Sequence, residues 1–272
     1  MTDKDLKFIS FSSGSCGNCY YLGTGEKGLL IDAGVSHRRL AKYLAERGLS
    51  PDSFGAVLVT HDHLDHIHFL GTYCKKLSKP VYSTEPVIGA LLRHTMTATY
   101  IPGCKRIIPA GEGTEILSGV RVRPFVLPHD ATQTVGYAID FEGYKFVIMT
   151  DVGKVTQEAL ELSKAASTVV IESNYDTDML WNGDYPQELK ERVSGGNGHI
   201  SNEECAEALR EIAHEGLEHV FLCHRSDNNN TEPLALRAAG AALLDAGMPE
   251  IHLEVLPREY PSKIFTLSKA SK

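Results

Sequence analysis

Apolar residues in the first half of the chain fall into short runs rather than helical stripes. Runs at 6–11, 18–23, 28–32, 56–60, 81–83, 119–127, 134–141 and 144–150 read as strands, most of them bounded by Gly, Pro, Asp or Ser. Helical spacing appears in this half at 36–47 and 66–78. The second half alternates. A helix is expected at 154–165, a strand at 168–172, helices at 186–193 and 201–215, a strand at 218–223, a helix at 231–246, and strands at 250–255 and 263–267. One start signal is explicit: Ser201-Asn202-Glu203-Glu204 is a capping box, and Cys205, Ala208, Leu209 and Ile212 then form an apolar stripe. Many strands followed by alternating units predict an α+β protein, two sheets with helices outside.

Size adds little constraint. The 272 residues, 42% of them apolar, are enough for a full core, and the pattern runs over 5–267, so one domain spanning 1–272 is expected. No run approaches the roughly eighteen apolar residues of a membrane span. The start Met1-Thr2-Asp3-Lys4-Asp5 is charged and has no signal-peptide core, which makes the cytoplasm the expected location. Six cysteines are scattered, and Cys16-x-x-Cys19 has no second pair, so free thiols are expected. The net charge of −8, from 27 basic and 35 acidic residues, argues against broad nucleic-acid binding without excluding it. Basic pairs such as Arg38-Arg39 and Lys105-Arg106 read as solvated faces.

The chemistry concentrates in Thr60-His61-Asp62-His63-Leu64-Asp65-His66, just past the apolar run Ala56-Val57-Leu58-Val59. A histidine tract can be an incidental surface feature. Here the spacing is regular and the flank is a buried strand. Imidazole and carboxylate together suit Zn²⁺, Mn²⁺ or Fe²⁺. His61, His63, Asp65 and His66 exceed what one ion takes from one short loop, which points to two ions side by side, with Asp62 outside the ligand set.

The run H-x-H-x-D-H resembles the signature of the metallo-β-lactamase superfamily. Further candidates follow in the family's order: His129 after Arg123–Pro128, Asp151 after Phe146–Thr150, and His224 after Val220–Cys223, each at the tip of an apolar strand. The resemblance implies a four-layered αββα sandwich with metals at one edge between the sheets. It implies that His61, His63 and His129 hold one of two divalent ions, Zn²⁺ or Mn²⁺, and that Asp65, His66 and His224 hold the other. Asp151 would bridge them, with a bridging hydroxide as nucleophile.

Two more residues bear on the reaction. His199 precedes the capping box, and Glu172 ends the strand-like run Ser167–Ile171. Such a pair supplies a general acid for a leaving alkoxide, and tRNA 3′-processing nucleases of the superfamily carry a similar one. Asp65, His199 and Glu172 are the catalytic candidates. The whole chain is most similar to YycJ/VicX-type (WalJ-like) members, through Ser13-Gly14-Ser15-Cys16-Gly17-Asn18, Ile171–Asp176, Gly198–Asn202, and Leu222–Ser226 with Asn229-Asn230. That resemblance implies a metal-dependent phosphodiesterase, a nuclease with DNA as the favoured substrate and exonuclease action. Arg225, where the family usually has an apolar residue, and Asn229 are candidates for substrate binding. No inserted β-CASP domain or long arm for tRNA is visible. Two alternatives share the ligand set or the fold: a thioester hydrolase of the glyoxalase II type, and a non-catalytic regulatory module. The native metal, the polarity of cleavage and the oligomeric state are open at this point.

Overall fold

The computed structural model describes residues 5–267; residues 1–4 and 268–272, with most of the charged start and the two ends of the expected domain, lie outside the described residues. In chain order the elements are β1 (Leu6–Gly14), β2 (Gly17–Gly23), β3 (Gly28–Ile31), α1 (His37–Ala45), β4 (Ala56–Leu58), α2 (Leu64–Ile67), α3 (Leu70–Leu77), β5 (Val81–Ser83), α4 (Glu85–Arg93), α5 (Ile101–Cys104), β6 (Lys105–Ile107), β7 (Thr114–Leu117) and β8 (Val120–Leu127). They continue as β9 (Thr134–Phe141), β10 (Tyr144–Met149), α6 (Gln157–Ser163), β11 (Thr168–Glu172), α7 (Thr177–Asn182), α8 (Gln187–Ser194), α9 (Asn202–Ile212), β12 (His219–Cys223), α10 (Glu232–Asp245), β13 (His252–Val255) and β14 (Phe265–Leu267).

Among the described residues the strands form two seven-stranded sheets, in the orders β14-β1-β2-β3-β4-β5-β6 and β13-β12-β11-β10-β9-β8-β7. Each sheet is mixed. The first is antiparallel from β14 to β3 and parallel from β3 to β6. The second is antiparallel from β7 to β10 and parallel from β10 to β13.

Strand alternation makes these sheets into a sandwich. Ala56 and Leu58 of β4, Phe146 and Ile148 of β10, Val170 of β11 and Phe221 of β12 face inward and fill the core between the sheets. Their neighbours face outward. Val57 and Val59 pack under α1, α3, α4 and α5, against Leu40, Tyr73, Ile88 and Ile101. Val147, Val169, Ile171 and Val220 pack under α6, α9 and α10, against Leu160, Leu209 and Ala239. Three cores between four layers explain why these strands read as unbroken apolar runs: both faces are covered. The four-layered αββα sandwich is thus present.

Some elements differ from the expectation. The helix at 66–78 is two helices, α2 and α3. It starts earlier, with His63 as its cap residue, and breaks at Phe69, whose N–H leaves the helix and donates to Ala33 O at 3.0 Å. The strand expected over 56–60 shortens to β4. The short elements α4, α5, β6, β7 and α7 had no counterpart in the sequence reading. For α4 a signal existed: Pro86 in the first turn and Val87, Ile88 and Leu91 on one buried stripe. The edge strand β6, Lys105-Arg106-Ile107, is largely exposed and carries no alternation to read. All six cysteines are free thiols, and Cys223 points into the core between the sheets while the residue after it turns away.

Candidate metal centre

The parallel strands β3, β4, β10, β11 and β12 end at one edge of the sandwich, and the chemistry-bearing side chains leave from those ends. Asp32, Asp151 and His224 each take the residue position just past a strand tip or next to it, with φ of 61°, 57° and 49°. Left-handed backbone is costly for residues other than glycine, and it collects at functional sites. Here it accompanies the meeting of all three side chains: Asp32 and Asp151 both reach His66, and Asp151 reaches His224.

The structure brings together all seven residues expected to ligate metal. The ligand atoms of His61, His63 and His129 lie within 4.8 Å of one another, and so do those of Asp65, His66, Asp151 and His224. Asp151 lies between the groups: its carboxylate is 3.1 Å from His66 Nε2, 3.7 Å from His129 Nε2 and 3.4 Å from His224 Nδ1. Asp62 is directed away, accepting from Thr132 N and Oγ1, and so ties the histidine loop to the loop that carries His129.

The donor set fits divalent cations. His61 Nε2, His129 Nε2 and His224 Nε2 are buried without a hydrogen-bond partner. Buried polar atoms are rarely left so, and His61 and His129 in one group and His224 in the other are each placed where a metal ion would satisfy them. The opposite ring nitrogens are committed. His129 Nδ1 pairs with Gly198 O at 2.8 Å, His66 Nδ1 with Asp32 Oδ2 at 2.7 Å, and His224 Nδ1 with Glu172 Oε1 at 2.8 Å. Fixing Nδ1 in this way orients the ring and leaves Nε2 of His129 and His224 for a metal, while His66 Nε2 lies against Asp151 Oδ2 at 3.1 Å and Asn18 Nδ2 at 2.8 Å.

Electrostatics divide the histidines. Burial, and then the neighbouring His66, push His61 well below the ordinary histidine value, so it presents a lone pair. Burial also opposes a proton on His66, but Asp151, Asp65 and Asp32 outweigh it and hold that ring well above its ordinary value. Asp151, though burial favours its neutral form, is kept well below the usual carboxylate range by His224 and His66.

Glu172 is fully buried at the end of β11 and is a hub. Its Oε2 accepts from Val152 N at 2.8 Å and Ile200 N at 3.3 Å; its Oε1 receives both His224 Nδ1 and, at 2.9 Å, His199 Nδ1. The sequence pattern pairs it with His199 alone; the structure adds His224. Burial works against a proton on His199, yet Glu172 raises its pKa above the ordinary value. With Nδ1 engaged, the ring of His199 lines a cleft of about 160 Å³ together with Ser15, Asn174, Tyr185, His224 and Arg225. Arg225 sits on the wall with Nη1 given to Ser226 O and Asn230 O. Asn229 lines the same cleft but is nearly buried, its carbonyl taking Asp176 N.

Asp32 was missed in the sequence. It is fully buried, and besides His66 it accepts from Thr60 N and Thr60 Oγ1, both at 2.9 Å. The signal was there: Asp32 closes Leu29-Leu30-Ile31 as Asp151 closes its own apolar run.

Similarity to known proteins agrees with this geometry. The family model described as "Beta-lactamase superfamily domain" matches residues 28–224. The chain is 34% identical over 242 residues to exodeoxyribonuclease YycJ of Bacillus anthracis, covering 89% of this chain and 90% of that one. It is 32% identical over 235 residues to exodeoxyribonuclease WalJ of Streptococcus pneumoniae, covering 86% and 87%. Among solved structures, Zn²⁺-bound PqqB of Methylobacterium extorquens superposes with a TM-score of 0.70 at 17% identity, over 94% of this chain and 99% of that one, which supports the fold alone. The chain therefore belongs to the metallo-β-lactamase-fold members of the beta-lactamase superfamily and, within them, to the YycJ/WalJ type.

Proposed function

We propose that this protein is a single-domain, divalent-metal-dependent nuclease that hydrolyses phosphodiester bonds of DNA and takes two ions, Zn²⁺ or Mn²⁺, per chain. The observation that carries the reading is the clustering of the candidate ligand atoms of His61, His63 and His129, and of Asp65, His66, Asp151 and His224, each set within 4.8 Å, with the Nε2 atoms of His61, His129 and His224 buried and unpartnered. His61, His63 and His129 would hold one ion, Asp65, His66 and His224 the other, and Asp151 would touch both. Bound there, the ions supply a water activated as nucleophile at neutral pH and positive charge for the phosphate oxygens.

The protein's own groups do the rest. Glu172 keeps His199 Nδ1 engaged, so His199 would carry its transferable proton on Nε2, on a ring that lines the cleft. From there it donates to the oxygen that leaves the phosphorus. Arg225 and Asn229, on the wall of that cleft, would contact the nucleotide. The names of the relatives, exodeoxyribonucleases with nearly full-length similarity, favour DNA and cleavage from an end. Six free thiols favour a reducing compartment such as the cytoplasm. No helix among the described residues is long and apolar enough to cross a membrane.

The test is cleavage of end-labelled single- and double-stranded DNA and RNA by metal-stripped protein refilled with Zn²⁺ or Mn²⁺. The expected result is metal-restored cleavage of DNA that His63→Ala lacks, with a product ladder that gives the polarity. No cleavage under either metal, with turnover of S-lactoylglutathione instead, would replace this reading with a thioester hydrolase of the glyoxalase II type.

A further inference from the structure

The segment Ser13–Asn18 forms the tip of the β1–β2 hairpin, and the reaction described above does not use it. Its side chains nevertheless reach the metal centre. Ser13, Asn18 and Tyr20 are all fully buried. His224 N donates to Ser13 Oγ at 3.0 Å; Ser13 Oγ and Tyr20 Oη are 2.9 Å apart; Tyr20 Oη donates to Asn18 Oδ1 at 3.1 Å; and Asn18 Nδ2 donates to Asp65 Oδ2 at 3.1 Å.

Proton counting fixes the direction of this chain. The one hydrogen of Tyr20 goes to Asn18, so Ser13 must donate to Tyr20, which leaves Ser13 Oγ free to accept from His224 N. Every donor then points the same way, from His224 to Asp65, and bonds in such a line polarise one another. The line also decides which way the Asn18 amide faces. Because Oδ1 is taken by Tyr20, Nδ2 is presented to Asp65 Oδ2, with its second hydrogen on Gly14 O at 3.2 Å. The same nitrogen lies 2.8 Å from His66 Nε2.

We infer that the buried line Ser13–Tyr20–Asn18 is a positioning device for the second metal position. It joins the backbone of His224 to the carboxylate of Asp65 and holds both at the spacing that the Asp65–His66–His224 set requires. The inference rests on the two-ion reading above. It gives the hairpin a role that the first ion's residues, His61, His63 and His129, do not share, since the hydrogen bonds of the line run to His224 and Asp65.

Tyr20→Phe is the cleanest variant: the ring keeps its place in the core, and only the hydroxyl that orients Asn18 is lost. Asn18→Leu removes the donor itself. Metal-stripped full-length protein is titrated with Mn²⁺ alone and with Zn²⁺ alone by calorimetry, with bound metal counted by mass spectrometry, and the unfolding temperature of the metal-free proteins is measured in parallel. Removal of groups that orient metal ligands typically costs about 10–100-fold in affinity. Accordingly, Tyr20→Phe is expected to weaken one of the two binding steps about tenfold, and Asn18→Leu more, with the other step unchanged, while the metal-free unfolding temperature falls by a few degrees because Ser13 Oγ and Asn18 Oδ1 lose a buried partner. Two unchanged steps in Tyr20→Phe overturn the inference while leaving the two-ion reading intact. Equal weakening of both steps also overturns it, because a general loosening of the fold would do that. A wild-type protein that takes up fewer than two ions overturns the two-ion reading and this inference with it.

Discussion

At the residue scale, the role proposed for His199 separates proton donation from metal holding. It is bonded to Glu172, two residues ahead of the capping Ser201 of α9, and although one of its ring nitrogens lies within 4.8 Å of ligand atoms of Asp151, Glu172 and His224, it is outside the two groups built on His61 and His66. His199→Ala is therefore expected to retain both ions. On DNA, whose leaving group is a basic alkoxide, loss of a general acid costs about 10²–10⁴ in rate. On bis(p-nitrophenyl) phosphate, whose leaving group departs without a proton, the rate changes by a few fold at most. Equal losses on both substrates would remove His199 as the proton donor. How much of this was readable is clear from single residues. His61 to His66 announced themselves because four chemistry-bearing groups crowd one short segment. Asn18 and the double duty of Glu172 did not, because their partners are 47 and 52 positions away in sequence and only the packing of hairpin and strands brings them near. Gly34 is the same lesson from the backbone. A Cβ there would lie 2.0 Å from Asp65 O and 2.4 Å from Asn18 N, so only glycine lets the hairpin sit against the metal loop.

At the element scale, β12 carries a histidine at each end, and the two ends treat it oppositely. His224, just past the C-terminal end, is opposed by burial but raised to about 10 by Asp151, Asp65 and Glu172. His219, the first residue, stacks on Phe221 with no carboxylate against its ring, and burial, then His252, lowers it from 6.5 to about 4. A histidine whose folded pKa lies below its unfolded value favours the folded state fully above the unfolded pKa. Between 6.5 and about 4 the unfolded chain binds the extra proton, so stability falls as pH falls, and below the folded pKa the contribution is gone. The full shift corresponds to about 3 kcal/mol, reduced to about 1–2 kcal/mol because the ring is partly exposed and screened. His219→Phe is expected to shrink the loss of stability between pH 7 and pH 4.5 by about that amount, read from urea midpoints. An identical loss in both proteins would show that His219 does not titrate in this way. The element map explains which strands the sequence could reveal. The fully covered strands β10, β11 and β12 were legible because both faces are apolar, and α9 because Ser201 and Glu204 cap it. β6 and α5, short and at the margin of the first sheet, owe their existence to neighbours rather than to their own pattern.

At the scale of the whole molecule, the candidate metal ligands come from both sheets. His61, His63, Asp65 and His66 follow β4 of the first sheet, whereas His129, Asp151 and His224 follow β8, β10 and β12 of the second. An ion held by residues of both sheets therefore binds the closed sandwich and not the separated halves, and by mass action it must stabilise the closed form. With free metal at about 100 times its dissociation constant, one such site adds about 2.7 kcal/mol. For a chain of this size that corresponds to a rise in unfolding temperature of roughly 5–10 °C. Chelation should reverse it, and Asp151→Asn, which takes away the carboxylate shared between the two groups, should abolish most of it. The readout that distinguishes a sheet-joining role from local ordering is amide hydrogen exchange with and without Mn²⁺. Protection is expected to rise together in β3 and β4 and in β10, β11 and β12, because opening either sheet then requires release of the ion. A gain confined to the loop His61–Ile67, with no change in the unfolding temperature, would mean that the metal orders its own ligands and leaves the contact between the sheets to the apolar core alone.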